Sequence, residues 1–382
     1  MSLEALKMDR REAALLDFSR AVNLNPDYLW ARYQRGQVLR ELGRHDEALE
    51  DFRHAAQIAP DDSAVQAELG ETLRVLRRYP EAVEAFGRAI ELDPNYAWAF
   101  GSRGQTLRAM RRHEEALADF ERALAITPDM AWVLAERGEA LRSLGRFDEA
   151  IVQFSHAIAQ DPAYAWAIGH RAIAYREQGR YDEAVADLDQ ALELTPNQAW
   201  LLAERGEAKR LLERLDEALE DLGRAIELDP VYAWAIGSRG AAYRSTGQDD
   251  EALADFSRAI ELRAEYAWAL GSRGQTFRAL GRYEEAVADL SRSLELRPEA
   301  AWAVAERGEC YRNLKQFDAA LADFNRAIEL NPEDSWSLSR RGATYQSLAI
   351  FEEAYIDLTR AVELDPNNAW AWAQRGNLFR QM

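Results

Sequence analysis

From Pro26 onward the sequence returns to one pattern every 34 residues, with no residue inserted or lost. Pro60, Pro94, Pro128, Pro162, Pro196, Pro230, Pro298, Pro332 and Pro366 keep the step, and Ala264 stands where one more proline would fall. Four residues past each landmark lies a tryptophan: Trp30, Trp98, Trp132, Trp166, Trp200, Trp234, Trp268, Trp302, Trp336 and Trp370, with Ala64 the one absentee. A fixed period of this size requires tandem copies of one supersecondary unit, each stacked on the last. It replaces the two or three globular domains that 382 residues would otherwise suggest with one elongated array.

A single unit, Ala97 to Met130, shows what is repeated. Phe100, Gly104, Leu107 and Met110 fall at helical spacing, and Arg111-Arg112-His113 makes a turn. Glu114 and Glu115 put negative charge at the start of a second helix, where its dipole favours it. Ala116, Leu117, Phe120, Ala123, Leu124 and Ile126 form the second stripe, and Thr127-Pro128 ends it. Each unit is therefore expected to be two antiparallel helices of roughly 14 residues, about 21 Å each. Gly104, Ala116 and Ala123 would let their backbones approach closely.

The slots held by Gly104, Leu107, Ala116, Phe120, Ala123 and Pro128, at this period, resemble the tetratricopeptide repeat. The resemblance covers essentially the whole chain. It implies an all-α, right-handed superhelical solenoid of antiparallel helix pairs. The first helices would line a concave groove that holds an extended peptide or a partner's helix. Residues 1–28 would be a partial first repeat, with part of a first helix and a complete second one. Residues 29–368 would be ten complete units, and 369–382 the first helix of an incomplete one. That last helix would leave Trp372, Leu378 and Phe379 uncovered.

Two columns depart from the family pattern. The tryptophan lies six residues before the glycine, not four; Trp98 then shares a helix face with Gln105 and Ala109, opposite Phe100, Gly104 and Leu107. It is expected to line the groove and not the core. The residue before the glycine is Arg in ten of eleven copies, and sixteen residues further on most copies carry Asp. Across a hairpin this predicts ion pairs from Arg35–Asp51 to Arg341–Asp357. The one copy with Leu69 in place of Arg also has Ala85 in place of Asp. Joint loss is what a desolvated pair predicts, since stranding one partner costs about 3–5 kcal/mol.

A second arginine column, fourteen past the proline, flanks the tryptophan face: Arg40, Arg74, Arg108, Arg142, Arg176, Arg210, Arg244, Arg278 and Arg312, then Gln346 and Arg380. Two readings stand: arginines paired or stacked on a neighbouring tryptophan, or a track that receives carboxylates or aromatic side chains. Candidate groove residues are Trp98, Trp132, Trp166, Trp200, Trp234, Trp268 and Trp302 with Arg108, Arg142, Arg176, Arg210, Arg244, Arg278 and Arg312.

The units come in two kinds. One has Tyr before the helix and Gly-Ser or Gly-His within it, as at Tyr96, Tyr164, Tyr232 and Tyr266; the glycine is expected to make room for that tyrosine's ring. The other carries two glutamates: Glu68 and Glu71, Glu136 and Glu139, Glu204 and Glu207, Glu306 and Glu309. They alternate until Tyr232 and Tyr266 follow each other.

Composition excludes several functions. A net charge of −19 opposes duplex nucleic-acid binding, which relies on excess Lys and Arg. All basic residues but Lys7, Lys209 and Lys315 are Arg, which with abundant Ala suggests a GC-rich bacterial source. No apolar run approaches a membrane span, the N-terminus is too charged for a signal peptide, and lone Cys310 fits a reducing compartment as a packed thiol, so a cytoplasmic location is expected. His45, His54, His113, His156 and His170 lack metal-ligand spacing, and no nucleotide or nucleophile motif occurs. The expectation is a noncatalytic protein- or peptide-binding scaffold with no cofactor, no metal, no nucleic acid and no membrane. The alternatives are the sensor region of a larger bacterial signalling or defence protein, or an array that self-associates end to end.

Overall fold

The computed structural model describes residues 3–382, with side chains from Arg10 onward, and every regular element among them is an α-helix. The chain forms two compact units, Met1–Pro196 and Asn197–Met382. After the 22-residue helix Leu3–Leu24, helices of 13 and 14 residues alternate without exception to Ala369–Gln381. The opening segment differs from expectation: residues 3–24 form one continuous helix, with no turn that would separate a partial first helix from a second.

The link inside each pair is sterically defined. After Ala97–Ala109, Arg111 takes a left-handed φ of 61°, and the Arg112 N–H returns to the Leu107 carbonyl at 2.9 Å. Half of these links place glycine at that position, such as Gly43 (φ 76°); the others tolerate Arg77, Arg111, Glu213, Lys315 and Ala349. Arg112 then donates two hydrogen bonds to Glu115, fixing a carboxylate in the first turn of His113–Ile126. The second helix stops where Thr127 turns extended (φ −135°, ψ 94°), as a residue before proline prefers. Arg263 adopts the same geometry before Ala264 (φ −142°, ψ 91°), so the stop does not need the proline ring.

Within a pair, the glycine column sets the separation. A Cβ on Gly104 would lie 2.7 Å from a ring carbon of Phe120, and one on Gly206 would lie 2.7 Å from Cγ of Leu222. Phe52, Phe86, Phe120, Phe154, Phe256 and Phe324 are fully buried against that column, with Ala116, Ala123 and their equivalents.

The Arg–Asp ladder forms at every expected place. Arg35–Asp51, Arg103–Asp119, Arg171–Asp187, Arg205–Asp221, Arg239–Asp255, Arg273–Asp289, Arg307–Asp323 and Arg341–Asp357 each share two parallel hydrogen bonds, Nε to Oδ2 and Nη2 to Oδ1. Several of these arginines also donate to the preceding pair's second helix: Arg171 to Ser155, Arg273 to Ser257, Arg307 to Ser291 and Arg341 to Asn325. The ladder thus joins successive pairs as well as closing each one. Arg137, opposite Gln153, has its Nε buried without a partner.

In each unit a second helix packs between its own first helix and the next one, and successive first helices also touch. Among the described residues, successive second helices make no comparable contact. The first helices therefore lie on the tighter side of each unit and present one face. On the last helix, Leu378 is fully buried against Ala354 and Leu358, contrary to expectation, while Trp372 and Phe379 are exposed.

Candidate functional site: the first-helix face

Each tryptophan stands in the first turn of a first helix, and within each compact unit that helix abuts the preceding pair. Trp98, Trp132, Trp166, Trp200, Trp234 and Trp268 are half-buried; Trp302 keeps 41% of its surface in water. The indoles take two seats. Trp98, Trp166, Trp268 and Trp336 set an edge against Phe86, Phe154, Phe256 and Phe324 of the preceding second helix, with ring centroids 6.0–6.5 Å apart. Trp132 and Trp302 instead sit on glycine: a Cβ on Gly101 would meet Trp132 at 2.5 Å, and one on Gly271 would meet Trp302 at 2.3 Å.

The indoles are set half-buried into the seam between pairs, because their first-turn position lies beside the previous hairpin. One sequence expectation needs correction here. The glycine of a Tyr-type unit makes room for the next unit's indole and not for its own tyrosine's ring. That tyrosine lies against its own tryptophan instead, as in Tyr164–Trp166 at 6.0 Å.

The second arginine column is paired with the glutamates of the other unit type, in two registers. Arg74, Arg142, Arg210 and Arg312 bind Glu71, Glu139, Glu207 and Glu309 on the same helix, three residues back. Arg40, Arg108 and Arg278 reach forward to Glu68, Glu136 and Glu306 on the next first helix. In the units of Glu68, Glu136 and Glu306 the first glutamate serves the preceding arginine and the second serves its own. Arg176 is half-buried at the same position of its helix and is also engaged. Among the described residues Arg244 makes no carboxylate pair: its Nη1 donates to Gln275 Oε1 at 2.6 Å and to the Ser272 carbonyl at 3.5 Å.

Three contributors escaped the sequence reading. Gln37 and Gln105 donate to Glu68 and Glu136. His170 Nδ1 lies 3.0 Å from Glu139 Oε2, with its ring 4.0 Å from that of Trp166. Arg340, in the slot homologous to His170, reaches back to Glu309 and lies 3.7 Å over the Trp370 ring. Reading each 34-residue column separately would have shown His and Arg replacing Ser or Glu at one slot.

These contacts set the electrostatics. Burial alone would raise the Glu139 carboxyl, yet hydrogen bonds from Arg142 and His170 outweigh it and hold the group at about 2. Glu309 is lowered in the same way by Arg312 and Arg340. Arg244 moves the other way: burial first, then the nearness of Arg210, holds it below the usual arginine range. Burial pushes the Cys310 thiol up to about 12, in keeping with its fully buried side chain. Among the described residues no His, Cys, Asp and Glu cluster could hold a metal ion, and no helix is long and apolar enough to cross a membrane.

Comparisons with known proteins agree with this architecture. Models of the tetratricopeptide repeat match residues 30–62, 61–129, 95–163, 201–232, 231–299 and 301–334, and a TPR repeat model matches 172–209. A protein prenyltransferase alpha subunit repeat model matches 351–382. The chain is similar in structure to the APC/C hetero-tetramer Cut9-Hcn1 (14% identity, 98% of this chain and 94% of that one, TM-score 0.61). It is similar to a tetratricopeptide repeat protein from Parabacteroides merdae (18% identity, 65% and 98% covered, TM-score 0.50). A weaker similarity links it to YrrB, a TPR protein with an unusual peptide-binding site (22% identity, 48% and 95% covered, TM-score 0.40). No curated protein matches the sequence.

Proposed function

The chain belongs to the tetratricopeptide repeat family, and on that premise we propose that it is a noncatalytic scaffold that holds an extended peptide or a partner's helix along its first-helix face. The observation that supports this reading is the surface finish of that face. The hairpin cores are already filled by the Phe, Leu and Gly columns, yet most first helices add a half-buried indole, and many add a hydrogen-bonded Arg–Glu pair. Such pre-positioned groups offer stacking edges and charge-assisted donors without further loss of side-chain freedom. The columns Trp98 to Trp302 and Arg108 to Arg312 supply the contact surface.

Peptides selected from a random library on the full-length chain test the reading. Their binding is expected to fall on Trp302→Ala, which alters an exposed indole on this face, and to persist on Glu121→Lys, on an exposed second-helix site. The reverse pattern would place the binding surface on the second helices and overturn the proposal.

A further inference from the structure

The break in unit alternation leaves one guanidinium unmatched. Arg40, Arg74, Arg108, Arg142, Arg210, Arg278 and Arg312 of this column each find a carboxylate three residues earlier or twenty-eight residues later. Because the Tyr232 unit is followed by the Tyr266 unit, those two places for Arg244 are Ala241 and Ser272. Its Nη1 settles on Gln275, a neutral acceptor, and its Nε and Nη2 make no hydrogen bond among the described residues.

We propose that Arg244 is the receptor for one Asp or Glu side chain of an extended peptide lying on the first-helix face of the second unit. This rests on the scaffold reading above and names the chemistry of its partner. An Arg fork with Nε and Nη2 unused accepts a carboxylate through two parallel hydrogen bonds, the arrangement this chain itself uses for its Asp ladder. The neighbouring Arg210 and Arg278 are already matched by Glu207 and Glu306, so the site asks for a single acid and not an acidic run. The overall charge of −19 disfavours a polyacidic partner at long range in any case. First helices continue on both sides, at Ala199–Leu211 and Ala267–Ala279, so a bound chain passes the site and presents a side chain, not its terminus.

The test uses amidated synthetic copies of the library-selected peptides with wild type, Arg244→Gln and Ala241→Glu. The last variant supplies the same-helix carboxylate that Arg210 finds in Glu207, and its melting temperature is expected to match or exceed that of wild type. An Asp or Glu shared by the peptides, whose change to Asn or Gln weakens wild-type binding roughly tenfold to a hundredfold but leaves Arg244→Gln and Ala241→Glu unaffected, supports the proposal. Peptides with no common acid, an equal loss on all three proteins, or binding that needs a free C-terminus overturns it while leaving the scaffold reading intact. Competition by inorganic phosphate but not by acetate also overturns it. A library that yields no binder overturns both.

Discussion

Arg103 holds Asp119 through two parallel hydrogen bonds, each 2.7 Å long, across the two helices of one hairpin. The carboxylate is buried, at 6% exposure, so neither charge is tolerable there without the other. The hairpin with Leu69 and Ala85 has dispensed with both groups and keeps the same helix lengths. The seam is apolar in that hairpin and fully paired in eight others, while the hairpin of Arg137 and Gln153 is half-paired and leaves the Arg137 Nε buried without a partner.

From this it follows that Asp119→Ala should destabilise the chain by roughly 3 kcal/mol, and that adding Arg103→Leu should recover a large part of the loss. Denaturant unfolding of the two variants decides the matter. If the double variant is less stable than the single one, the pair is contributing net attraction and not merely mutual compensation.

Glu139 gives the chain an acid-sensitive seam. Its carboxyl, held at about 2 against an ordinary 4.5, contributes stability that is complete above pH 4.5. That contribution disappears as pH falls towards 2, and the shift corresponds to about 3 kcal/mol. Glu139→Gln should lower stability at pH 7 by about that amount and flatten the acid limb of the stability–pH profile. An unchanged limb in the variant would assign the acid response to other carboxylates.

The indole seats predict graded effects. Trp166, half-buried between Phe154 and His170, should cost about 2 kcal/mol when changed to Ala. Trp302, more exposed on its glycine seat, should cost about 1 kcal/mol or less and affect peptide binding instead. Equal losses in melting experiments would show that both serve only packing.

Much of this was legible because the 34-residue register is unbroken. Periodicity places the helix pairs, and the joint loss at Leu69 and Ala85 reveals the ladder before any coordinates do. What the period conceals is contact between one copy and the next. Trp132 seats on Gly101, and Arg108 pairs with Glu136, across offsets that a single repeat does not contain. A helical-wheel argument gives the direction of Trp98 relative to its own helix but says nothing of the hairpin already occupying that direction. The Arg–Glu pairing is visible in sequence only when all columns are read together, and then Arg244 stands out at once. Leu378 was legible too, since its column, held by Thr106, Ala140, Ala174 and Cys310 in other copies, is buried in each.

Lys209 is the remaining irregularity, and it makes a prediction of opposite sign. It occupies the column filled by Leu107, Leu141, Tyr175, Tyr243, Phe277 and Tyr311 in other copies, yet it is only 8% exposed. Its ammonium lies 2.8 Å from Asp221 Oδ2 and 3.5 Å from Glu217. Asp221 already has the two hydrogen bonds of Arg205, so removing the lysine does not strand the carboxylate. Burying an ammonium is costly, and replacing such a group by a well-packed apolar side chain is often neutral or stabilising. Lys209→Leu should therefore leave stability unchanged or raise it by about 1 kcal/mol, even though it deletes an ion pair. A clear loss on denaturant unfolding would mean that Asp221 needs both cations, a three-membered charge cluster like that of Asp51 with Arg32 and Arg35.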